Sequence, residues 1–350
     1  MSSPVPDSKK PPKAVIFGCS SISLTEGEKQ FFRYANPFGF ILFQRNCTSP
    51  QQVKTLIGEL RAAVGRPDAP VLIDQEGGRV QRLKPPHWPN FPPARMFGEL
   101  HEKTPALGTE AARINARLIG LELHALGITV NCAPLADVLD DTTDPAIGDR
   151  AYSKDPTVVA ECARAAALGY METGVLPVIK HMPGHGRTQA DPHFNPAVVG
   201  ASHEALTQRD FAPFKALRDF PIGMTCHITF TALDPQKPCS VSPVLHEIIR
   251  KEIGFEGFLL SDDIAMKGLR GRMEDLVVQA VQAGSDCALH CSGNMNEMAA
   301  LAGTALPMRE DSLLRWRHAA GMPMQPAPFT DKTQLMDRLD MLLGVAAATG

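Results

Sequence analysis

The chain has 350 residues, of which 44% are hydrophobic, and its formal net charge is -3 at pH 7. A chain of this length can bury a large core and fits one large domain or two smaller ones. The nearly balanced charge, with no block of lysine and arginine, argues against nucleic acid or an anionic membrane as the partner. A small neutral or mildly acidic ligand is the better expectation.

The ends of the chain and its cysteines bear on where the protein works. Residues 1–13 are polar and proline-rich and lack the apolar core of a secretory signal. No stretch approaches the roughly 20 apolar residues of a membrane-spanning helix. The 8 cysteines are scattered without a Cys-x-x-Cys pair, which favours buried reduced thiols over disulfides or a zinc cluster. We therefore expect a soluble, cytoplasmic protein that needs no cofactor.

Short apolar runs alternate with segments of helical periodicity along the chain. Eight runs predict strands, at 14–18, 39–43, 70–73, 128–133, 175–179, 222–225, 257–261 and 287–290. Helices are predicted over 50–64, 109–126, 157–173, 205–217, 244–253, 273–283 and 294–306, with a further helical pattern from 311 around a proline-rich break at 321–328. This alternation predicts an α/β fold, a single-domain (β/α)8 TIM-type barrel over 14–350 with a C-terminal helical segment, preceded by a polar tail over 1–13.

A doubly wound α/β sheet is the structural alternative. Its dinucleotide-binding form would need Gly-x-Gly-x-x-Gly after the first strand, and a phosphate-binding form would need a Gly-Lys-Ser/Thr loop. Neither pattern occurs at the required place in the sequence. The barrel is therefore the preferred fold.

The densest group of reactive side chains follows the fifth predicted strand. Residues 180–193 read Lys-His-Met-Pro-Gly-His-Gly-Arg-Thr-Gln-Ala-Asp-Pro-His. They could hold a substrate and transfer protons, because histidine titrates near neutral pH. Four of them could instead bind a metal ion, since imidazole and carboxylate are zinc ligands: His181, His185, Asp191 and His193. The proline and glycines of the loop oppose the helix that would place the His-x-x-x-His rings on one face, so metal binding is the less favoured interpretation.

In a barrel, reactive side chains lie where strands end and the following loops begin. Polar residues occur at six of the eight predicted strand ends, at 74–82, 131 with 137, 180–181, 227, 262–263 and 290. One pocket ringed by such groups suits a polyhydroxylated ligand. Singly, Asn131 and Asp137 are assigned to structural support, and His227 and His290 to the edge of the core. Asp263 is expected to cap a helix.

Four ordered motifs together resemble the signature of bacterial β-N-acetylhexosaminidases in glycoside hydrolase family 3. They are Asp-Gln-Glu-Gly-Gly-Arg-Val-Gln-Arg at 74–82, Ile-Gly-Asp-Arg at 147–150, Lys-His-Met-Pro-Gly-His-Gly at 180–186 with Asp-Pro-His at 191–193, and Ser-Asp-Asp-Ile-Ala-Met at 261–266. The resemblance covers nearly the whole barrel. It implies a single (β/α)8 barrel that removes N-acetylglucosamine from cell-wall muropeptides during peptidoglycan recycling.

The resemblance also implies a role for each matching residue. Asp262 is the expected nucleophile, and His193, oriented by Asp191, is the expected general acid/base. The expected sugar-binding side chains are Asp74, Arg82, Arg150, Lys180 and His181. The loop departs from the family at two positions, with Met182 where phenylalanine is common and Pro192 where serine is common. Since Pro192 fixes φ between the two members of the dyad, it bears on how the loop closes.

An Asp-His pair is a workable acid/base for a retaining glycosidase. Histidine, with an unperturbed pKa of about 6.5, donates and accepts protons near neutrality and places no second negative charge beside a nucleophilic carboxylate. A histidine acid/base also permits a sugar phosphorylase, because it would not repel a phosphate nucleophile. A catalytically silent sugar-binding barrel is disfavoured by the intact Asp262, Asp191 and His193 set. The expected partner is a small sugar substrate, and we expect a monomer.

Overall fold

The centre of the molecule is a closed barrel of parallel strands. A computed structural model describes residues 10–188, 196–322 and 331–348. The eight strands, called barrel strands one to eight in chain order, are Lys13–Phe17, Pro37–Leu42, Val71–Ile73, Val130–Asn131, Leu176–Met182, Ile222–Thr225, Phe258–Asp263 and Cys287–His290. Consecutive strands are hydrogen-bonded neighbours, and the eighth closes on the first with Ile16 opposite Leu289. The predicted single-domain (β/α)8 fold is confirmed, and each predicted strand overlaps an observed one.

Helices surround this barrel. The longer ones are Glu26–Ala35, Pro50–Ala63, Ala94–Lys103, Pro105–Leu126, Pro156–Met171, Met273–Ala283, Met295–Thr304, Glu310–Ala320 and Lys332–Ala348. Shorter segments are the α-helical turns His203–Ala205, Ala212–Ala216 and Pro243–Glu247, the π-helical turns Leu206–Asp210 and Ile248–Ile253, and the 3-10 turns Gln44–Asn46, Gly148–Arg150 and Cys239–Val241.

Two of these helices were not predicted, Glu26–Ala35 and Ala94–Lys103. The first begins with a capping box, in which the Thr25 side chain accepts from the Glu28 backbone and the Glu28 side chain accepts from the Thr25 backbone. The Thr-x-x-Glu pattern that announces such a box was therefore present in the sequence. The second lacks a side-chain cap, so no equivalent signal marked its start.

Side chains alternate along each strand between the barrel interior and the surrounding helices. In the first strand Ala14 and Ile16 belong to the inner cluster, whereas Val15 and Phe17 belong to the outer one. Trp316, on helix Glu310–Ala320, closes the inner cluster where the strands begin. Its ring lies 5.0 Å from that of Phe38 and 5.5 Å from that of Phe258. Since this end is filled by apolar side chains, a polar ligand has to enter at the opposite mouth.

The last described helix lies on the outside of the barrel. The last helix, Lys332–Ala348, packs on Pro105–Leu126, where Arg338 pairs with Glu110 at 2.7 Å. The boundary predicted between residues 13 and 14 stays a prediction, because residues 1–9 lie outside the described chain, as does most of the proline-rich break. Among the described helices, none combines the length and apolar character that crossing a membrane requires.

Two small pairs of strands lie beyond the carboxyl ends of the barrel strands. Gln75–Gly77 pairs antiparallel with Val80–Gln81, and Ala197–Val199 pairs parallel with Ile228–Phe230. The antiparallel hairpin turns through two glycines at positions 77 and 78 with φ of 100° and 57°, a backbone conformation that glycine adopts without strain. This hairpin places the residues after the third barrel strand over the mouth.

Candidate active site

A cavity of about 780 Å³ lies at the carboxyl-terminal mouth of the barrel. Its wall includes each predicted site residue that the structure describes: Asp74, Arg82, Arg150, Lys180, His181 and Asp262. Phe43, Arg79, His185 and Asp263 also line it. The two members of the predicted acid/base dyad, at positions 191 and 193, lie outside the described residues, so their placement stays a prediction.

Asp74 follows the third barrel strand and binds two cations at once. One carboxylate oxygen lies 3.1 Å from the Lys180 Nζ, and the other lies 3.1 Å from a guanidinium nitrogen of Arg82. Burial alone would raise the pKa of the Asp74 carboxyl, but the charges of Lys180 and Arg82 outweigh it and hold that pKa well below its usual range. Asp74 is therefore a fixed anion in the cavity wall.

Glu76 is a second carboxylate of this wall, which the sequence analysis did not single out. Its two oxygens accept from the Nε and a terminal nitrogen of Arg150, each at 2.8 Å, and one of them lies 2.8 Å from the Lys180 Nζ. Burial would raise the pKa of Glu76, but Arg150 and Lys180 hold it at about 2. Asp74 and Glu76 are two residues apart in an extended segment, so both side chains face the same way. That spacing was the signal available in the sequence.

Gln75, between these carboxylates, points to the opposite side and fixes the segment. Its backbone exchanges two hydrogen bonds of 3.0 Å with the side-chain amide of Asn131, which agrees with the structural role predicted for Asn131. The Gln75 side-chain oxygen accepts from the backbone N–H groups of Arg82 and Leu83 at 2.8 and 3.0 Å. The fully satisfied amide therefore sets where the neighbouring carboxylates lie.

His181 is oriented by Asp137, which is completely buried. One Asp137 oxygen lies 2.8 Å from the His181 Nδ1, and the other accepts from the backbone N–H groups of His181 and His185 at 3.2 and 2.7 Å. The His181 Nε2, on the far side of the ring, is the nitrogen left for a ligand. Burial, followed by the nearby His181, lowers the pKa of His185 to about 4. His185 is thus neutral near pH 7.

Asp262 ends the seventh barrel strand, on the opposite side of the barrel from Asp74. One of its oxygens accepts from the Asp263 backbone N–H at 2.8 Å, and no lysine or arginine among the described residues forms an ion pair with it. Burial would raise the pKa of Asp262, but His181, His227 and that backbone bond lower it below the usual value. Asp262 is therefore an anion that forms no ion pair with lysine or arginine within the described ranges.

Asp263 differs from the role predicted for it. Its carboxylate accepts from the backbone N–H groups of Ala265 and Cys291 at 3.1 and 3.2 Å, but the next helix begins only at Met273. The prediction of a helix cap is wrong, because the chain makes a turn after the strand and the carboxylate caps that turn. Burial, with the adjacent Asp262 charge, raises the pKa of Asp263 to about 6.

The two remaining strand-end histidines lie in the core edge, as predicted. The ring nitrogens of His227 lie 2.7 Å from the Ser240 hydroxyl and 2.8 Å from the Asp263 carbonyl oxygen. The buried His290 has its Nε2 3.1 Å from a Glu297 carboxylate oxygen. Both rings therefore support the seventh and eighth strand ends from behind the cavity.

The chain enters and leaves segment 189–195 at well-fixed points. On one side, the Asp144 backbone N–H donates to the Thr188 carbonyl at 2.7 Å, and the Arg187 Nε lies 2.7 Å from an Asp210 oxygen. On the other side, Ala197–Val199 pairs with Ile228–Phe230. Since Asp144 itself lines the cavity, the loop that carries the predicted acid/base starts at the cavity mouth.

A metal site was the less favoured interpretation of the loop. Within residues 10–188, 196–322 and 331–348, no three His, Cys, Asp or Glu side chains are arranged to hold a metal ion. Two of the four conceivable ligands, at 191 and 193, are outside those ranges. The described residues therefore do not test the metal hypothesis, and an experiment has to decide it.

The barrel and its polar, charged cavity define an enzyme that acts on a hydroxylated ligand, and comparison with known proteins makes the class specific. The chain matches the model of the glycosyl hydrolase family 3 N terminal domain over residues 27–308. The β-hexosaminidase of Nitrosomonas eutropha is 36% identical over 282 residues, covering 79% of this chain and 80% of the relative. The β-hexosaminidase of Methylococcus capsulatus is 35% identical over 273 residues, covering 77% and 80%. The chain therefore belongs to glycoside hydrolase family 3, and the predicted family and enzyme class, a glycoside hydrolase, are confirmed.

Solved structures show the same architecture. NagZ from Neisseria gonorrhoeae, determined in complex with N-trifluoroacetyl-D-glucosamine, superposes with a TM-score of 0.85 at 29% identity, covering 97% of this chain and 99% of that one. A family 3 β-N-acetylglucosaminidase from a Paenibacillus species gives a TM-score of 0.79 at 28% identity, covering 94% of this chain and 67% of that one.

Proposed function

We propose that this protein is a retaining β-N-acetylglucosaminidase that removes the non-reducing terminal N-acetylglucosamine from muropeptides during peptidoglycan recycling in the cytoplasm. The observation that supports the activity is the arrangement of charges in one cavity. Asp262, which forms no ion pair with lysine or arginine among the described residues, shares the cavity with Asp74 and with the two cations paired with Asp74, Lys180 and Arg82. The names of the relatives and the sugar analogue bound to gonococcal NagZ support the choice of sugar. The muropeptide and the location rest on the family resemblance of the motifs.

In the proposed reaction Asp262 attacks the anomeric carbon of the sugar. A bond forms between the Asp262 carboxylate and that carbon as the glycosidic C–O bond breaks, and His193 gives its proton to the leaving oxygen. Water then attacks the same carbon, His193 takes the water proton, and Asp262 departs. Because the lowered pKa of Asp262 keeps it ionised, the nucleophile is ready at neutral pH.

The sugar hydroxyls would be held by the opposite wall. Lys180, Arg82 and Arg150 offer N–H donors, His181 offers its Nε2, and Asp74 offers acceptor oxygens. These groups are already ion-paired or hydrogen-bonded, so little ordering remains to be done when the sugar binds. A preorganised binding wall of this kind suits a rigid pyranose ring.

The decisive test uses an aryl N-acetylglucosaminide and the matched aryl glucoside. We expect release of N-acetylglucosamine with retained anomeric configuration, and a glycosyl adduct on Asp262 detected by peptide mass spectrometry after rapid quenching. Cleavage of the glucoside alone would overturn the substrate assignment. An adduct on another carboxylate would overturn the nucleophile.

The acid/base assignment has its own test. His193→Ala should slow an alkyl or natural glycoside by about 10²–10⁴-fold, and an aryl glycoside with a good leaving group much less, because that group departs with little protonation. His203→Ala is the matched control, since His203 is exposed and pairs with Glu252. Equal losses on both substrates would argue against His193 as the acid.

Four further expectations belong to this proposal. Product analysis with and without inorganic phosphate distinguishes hydrolysis from phosphorolysis, since a phosphorylase would release the sugar 1-phosphate. Activity that survives a chelator, with no stoichiometric metal by elemental analysis, would remove the metal-dependent alternative. Light scattering tests the expected monomer, and activity of a chain starting at residue 14 tests the proposed boundary of the catalytic unit.

A further inference from the structure

We propose that Glu76 is a positioning residue for sugar recognition, which holds Lys180 and Arg150 in place without touching the ligand. The proposal rests on the proposed glycosidase function and deepens it. It goes beyond the binding residues that the motifs imply, because Glu76 is not among them.

The burial of Glu76 separates its role from that of Asp74. The Asp74 side chain is 16% exposed and lines the large cavity. The Glu76 side chain is 7% exposed, and it lines instead a separate internal space of about 20 Å³ beside Asn115 and Tyr170. Glu76 therefore forms the rear layer of the wall, behind Asp74, Lys180 and Arg150.

The contacts of Glu76 fix the geometry of both cations. Arg150 donates two parallel bonds of 2.8 Å to the two Glu76 oxygens. Such a fork-to-fork pair sets the plane of the guanidinium as well as its distance. The Lys180 ammonium lies 2.8 Å from one of the same oxygens, so one carboxylate sets the positions of two side chains that come from distant parts of the chain.

This arrangement determines what the cations can offer a ligand. An ammonium has three N–H donors. Lys180 donates to Asp74 at 3.1 Å and forms an ion pair with Glu76 at 2.8 Å, so the two carboxylates fix the ammonium while an N–H remains for a sugar hydroxyl. In Arg150, one terminal nitrogen also donates to the Ala146 carbonyl at 2.9 Å, so the face of the guanidinium toward the cavity is fixed by contacts on its other sides.

Glu76 also keeps two like charges together. Arg150 lowers the pKa of Lys180 as any nearby cation would, but Glu76 and Asp74 outweigh burial and that repulsion and raise it above its usual value. Without the Glu76 charge, the two cations would repel each other with one anion fewer between them. Both would be free to turn away from the sugar.

The first test is a neutral variant of Glu76. Glu76→Gln should lower kcat/KM for an aryl N-acetylglucosaminide by about 10- to 100-fold, mainly through KM, since hydrogen bonds to buried charges are worth about that factor. Glu172→Gln is the matched control, because Glu172 also bridges two arginines, Arg113 and Arg117, but far from the cavity. Its kinetics should equal those of the unmodified enzyme. A Glu76→Gln enzyme with unchanged KM and kcat would overturn the proposal.

A second test separates positioning from general loss of structure. The 3-, 4- and 6-deoxy analogues of the substrate are compared on the enzyme and on Glu76→Gln. We expect the loss from deleting one hydroxyl to shrink by at least fivefold in the variant, because the cation that binds this hydroxyl is already misplaced. If the loss from Glu76→Gln and the loss from deleting each hydroxyl multiply to within about threefold, Glu76 has only a structural role and the proposal is overturned.

Two provisions keep these outcomes separable. If Glu76→Gln does not fold, Glu76→Asp retains the charge but reaches only one cation, and the same deoxy comparison is made on it with the same outcomes. If the unmodified enzyme cleaves glucosides and not N-acetylglucosaminides, the substrate assignment fails. The hydroxyl comparison is then run on deoxyglucosides, and it still decides the role of Glu76.

Discussion

The carboxylates on the two sides of the cavity have different partners. On the charged wall, defined as Asp74, Glu76, Arg82, Arg150 and Lys180, each carboxylate pairs with two cations, and the pKa of Glu76 is held at about 2. On the reactive wall, defined as Asp262 and Asp263, the carboxylates accept from backbone N–H groups instead, and the pKa of Asp263 rises to about 6. Burial acts on both walls, so the opposite pKa shifts of Glu76 and Asp263 follow from their partners. Within the reactive wall, His181 and His227 lower the pKa of Asp262, whereas that of Asp263 is raised.

This contrast fits a division of labour between binding and reaction. A carboxylate bound to two cations is well placed to hold a ligand, but its oxygens are already engaged. Asp262 keeps its charge through weaker influences, the nearby His181 and His227 and one backbone bond. One of its oxygens therefore has no hydrogen-bond partner among the described residues, as the proposed nucleophile requires.

The largest effect is expected from Asp262→Asn, which removes the charge of the reactive wall and nearly preserves its shape. Turnover of the aryl N-acetylglucosaminide should fall by at least about 10⁴-fold, because loss of a nucleophile removes the covalent route. The dissociation constant of N-acetylglucosamine, measured by calorimetry, should change by less than about tenfold, since the charged wall is intact. A variant that turned over normally would show that the contrast between the walls has no catalytic meaning.

The next largest effect is expected from Lys180→Met, which removes the cation shared by Asp74 and Glu76. We expect kcat/KM to fall by about 10²-fold or more, since truncating one partner of a buried charge pair costs several kcal/mol. The loss should fall mainly on KM, in contrast to Asp262→Asn. Lys251→Met is the control, because Lys251 is 77% exposed and pairs with Glu247 on the surface. If Lys180→Met lowered kcat alone, the charged wall would have to be reassigned to catalysis.

How far the sequence predicts this molecule depends on whether a feature is local. The strands were predictable because each is a short apolar run between turns, as at 222–225, where prediction and structure coincide. Lys180, His181 and Asp262 could be placed at the barrel mouth because the reactive side chains of barrels lie at strand ends, and all three line the cavity. The helix cap expected at Asp263 was wrong, because a carboxylate at a strand end can cap a turn just as well, and the local sequence does not distinguish the two.

The roles of Glu76 and Asp137 could not be predicted from the local sequence. Glu76 is bound by Arg150, which lies 74 residues later, and no periodic pattern links two such positions. Asp137 was expected to be structural, yet it also sets which nitrogen of His181 faces the cavity. Both residues act through a side chain brought near by the closing of the barrel, so their roles follow from tertiary contacts.

The third prediction concerns stability at low pH and tests whether the charge of Glu76 in the charged wall stabilises the fold. The pKa of Glu76 is about 2 in the folded protein against an ordinary value of 4.5. A lowered folded pKa gives stability that is present above pH 4.5 and is lost as pH falls toward 2. We expect Glu76→Gln to be less stable than the parent by about 3 kcal/mol at pH 7, a gap that narrows below pH 4.5. Urea unfolding between pH 7 and 3 measures it, with Glu172→Gln as the control. A gap that did not change with pH would mean that the carboxylate charge does not stabilise the fold.

The smallest effect is expected on the reactive wall, and it has the opposite sign. The pKa of Asp263 is about 6 in the folded protein against an ordinary value of 3.8, so folding favours its protonated form. This contribution to stability is present below pH 3.8 and is lost as pH rises through 6.

Asp263→Asn removes the titration and keeps an acceptor for the Ala265 and Cys291 N–H groups. Relative to Asp263→Asn, the parent should therefore lose about 1 kcal/mol between pH 4 and 7, less than a fully buried group would, because the side chain is partly exposed. Asp275→Asn, at an exposed carboxylate on helix Met273–Ala283, should show no such trend. If the Glu76 and Asp263 variants instead gave pH trends of the same sign, the partners of the carboxylates would not be what distinguishes the two walls.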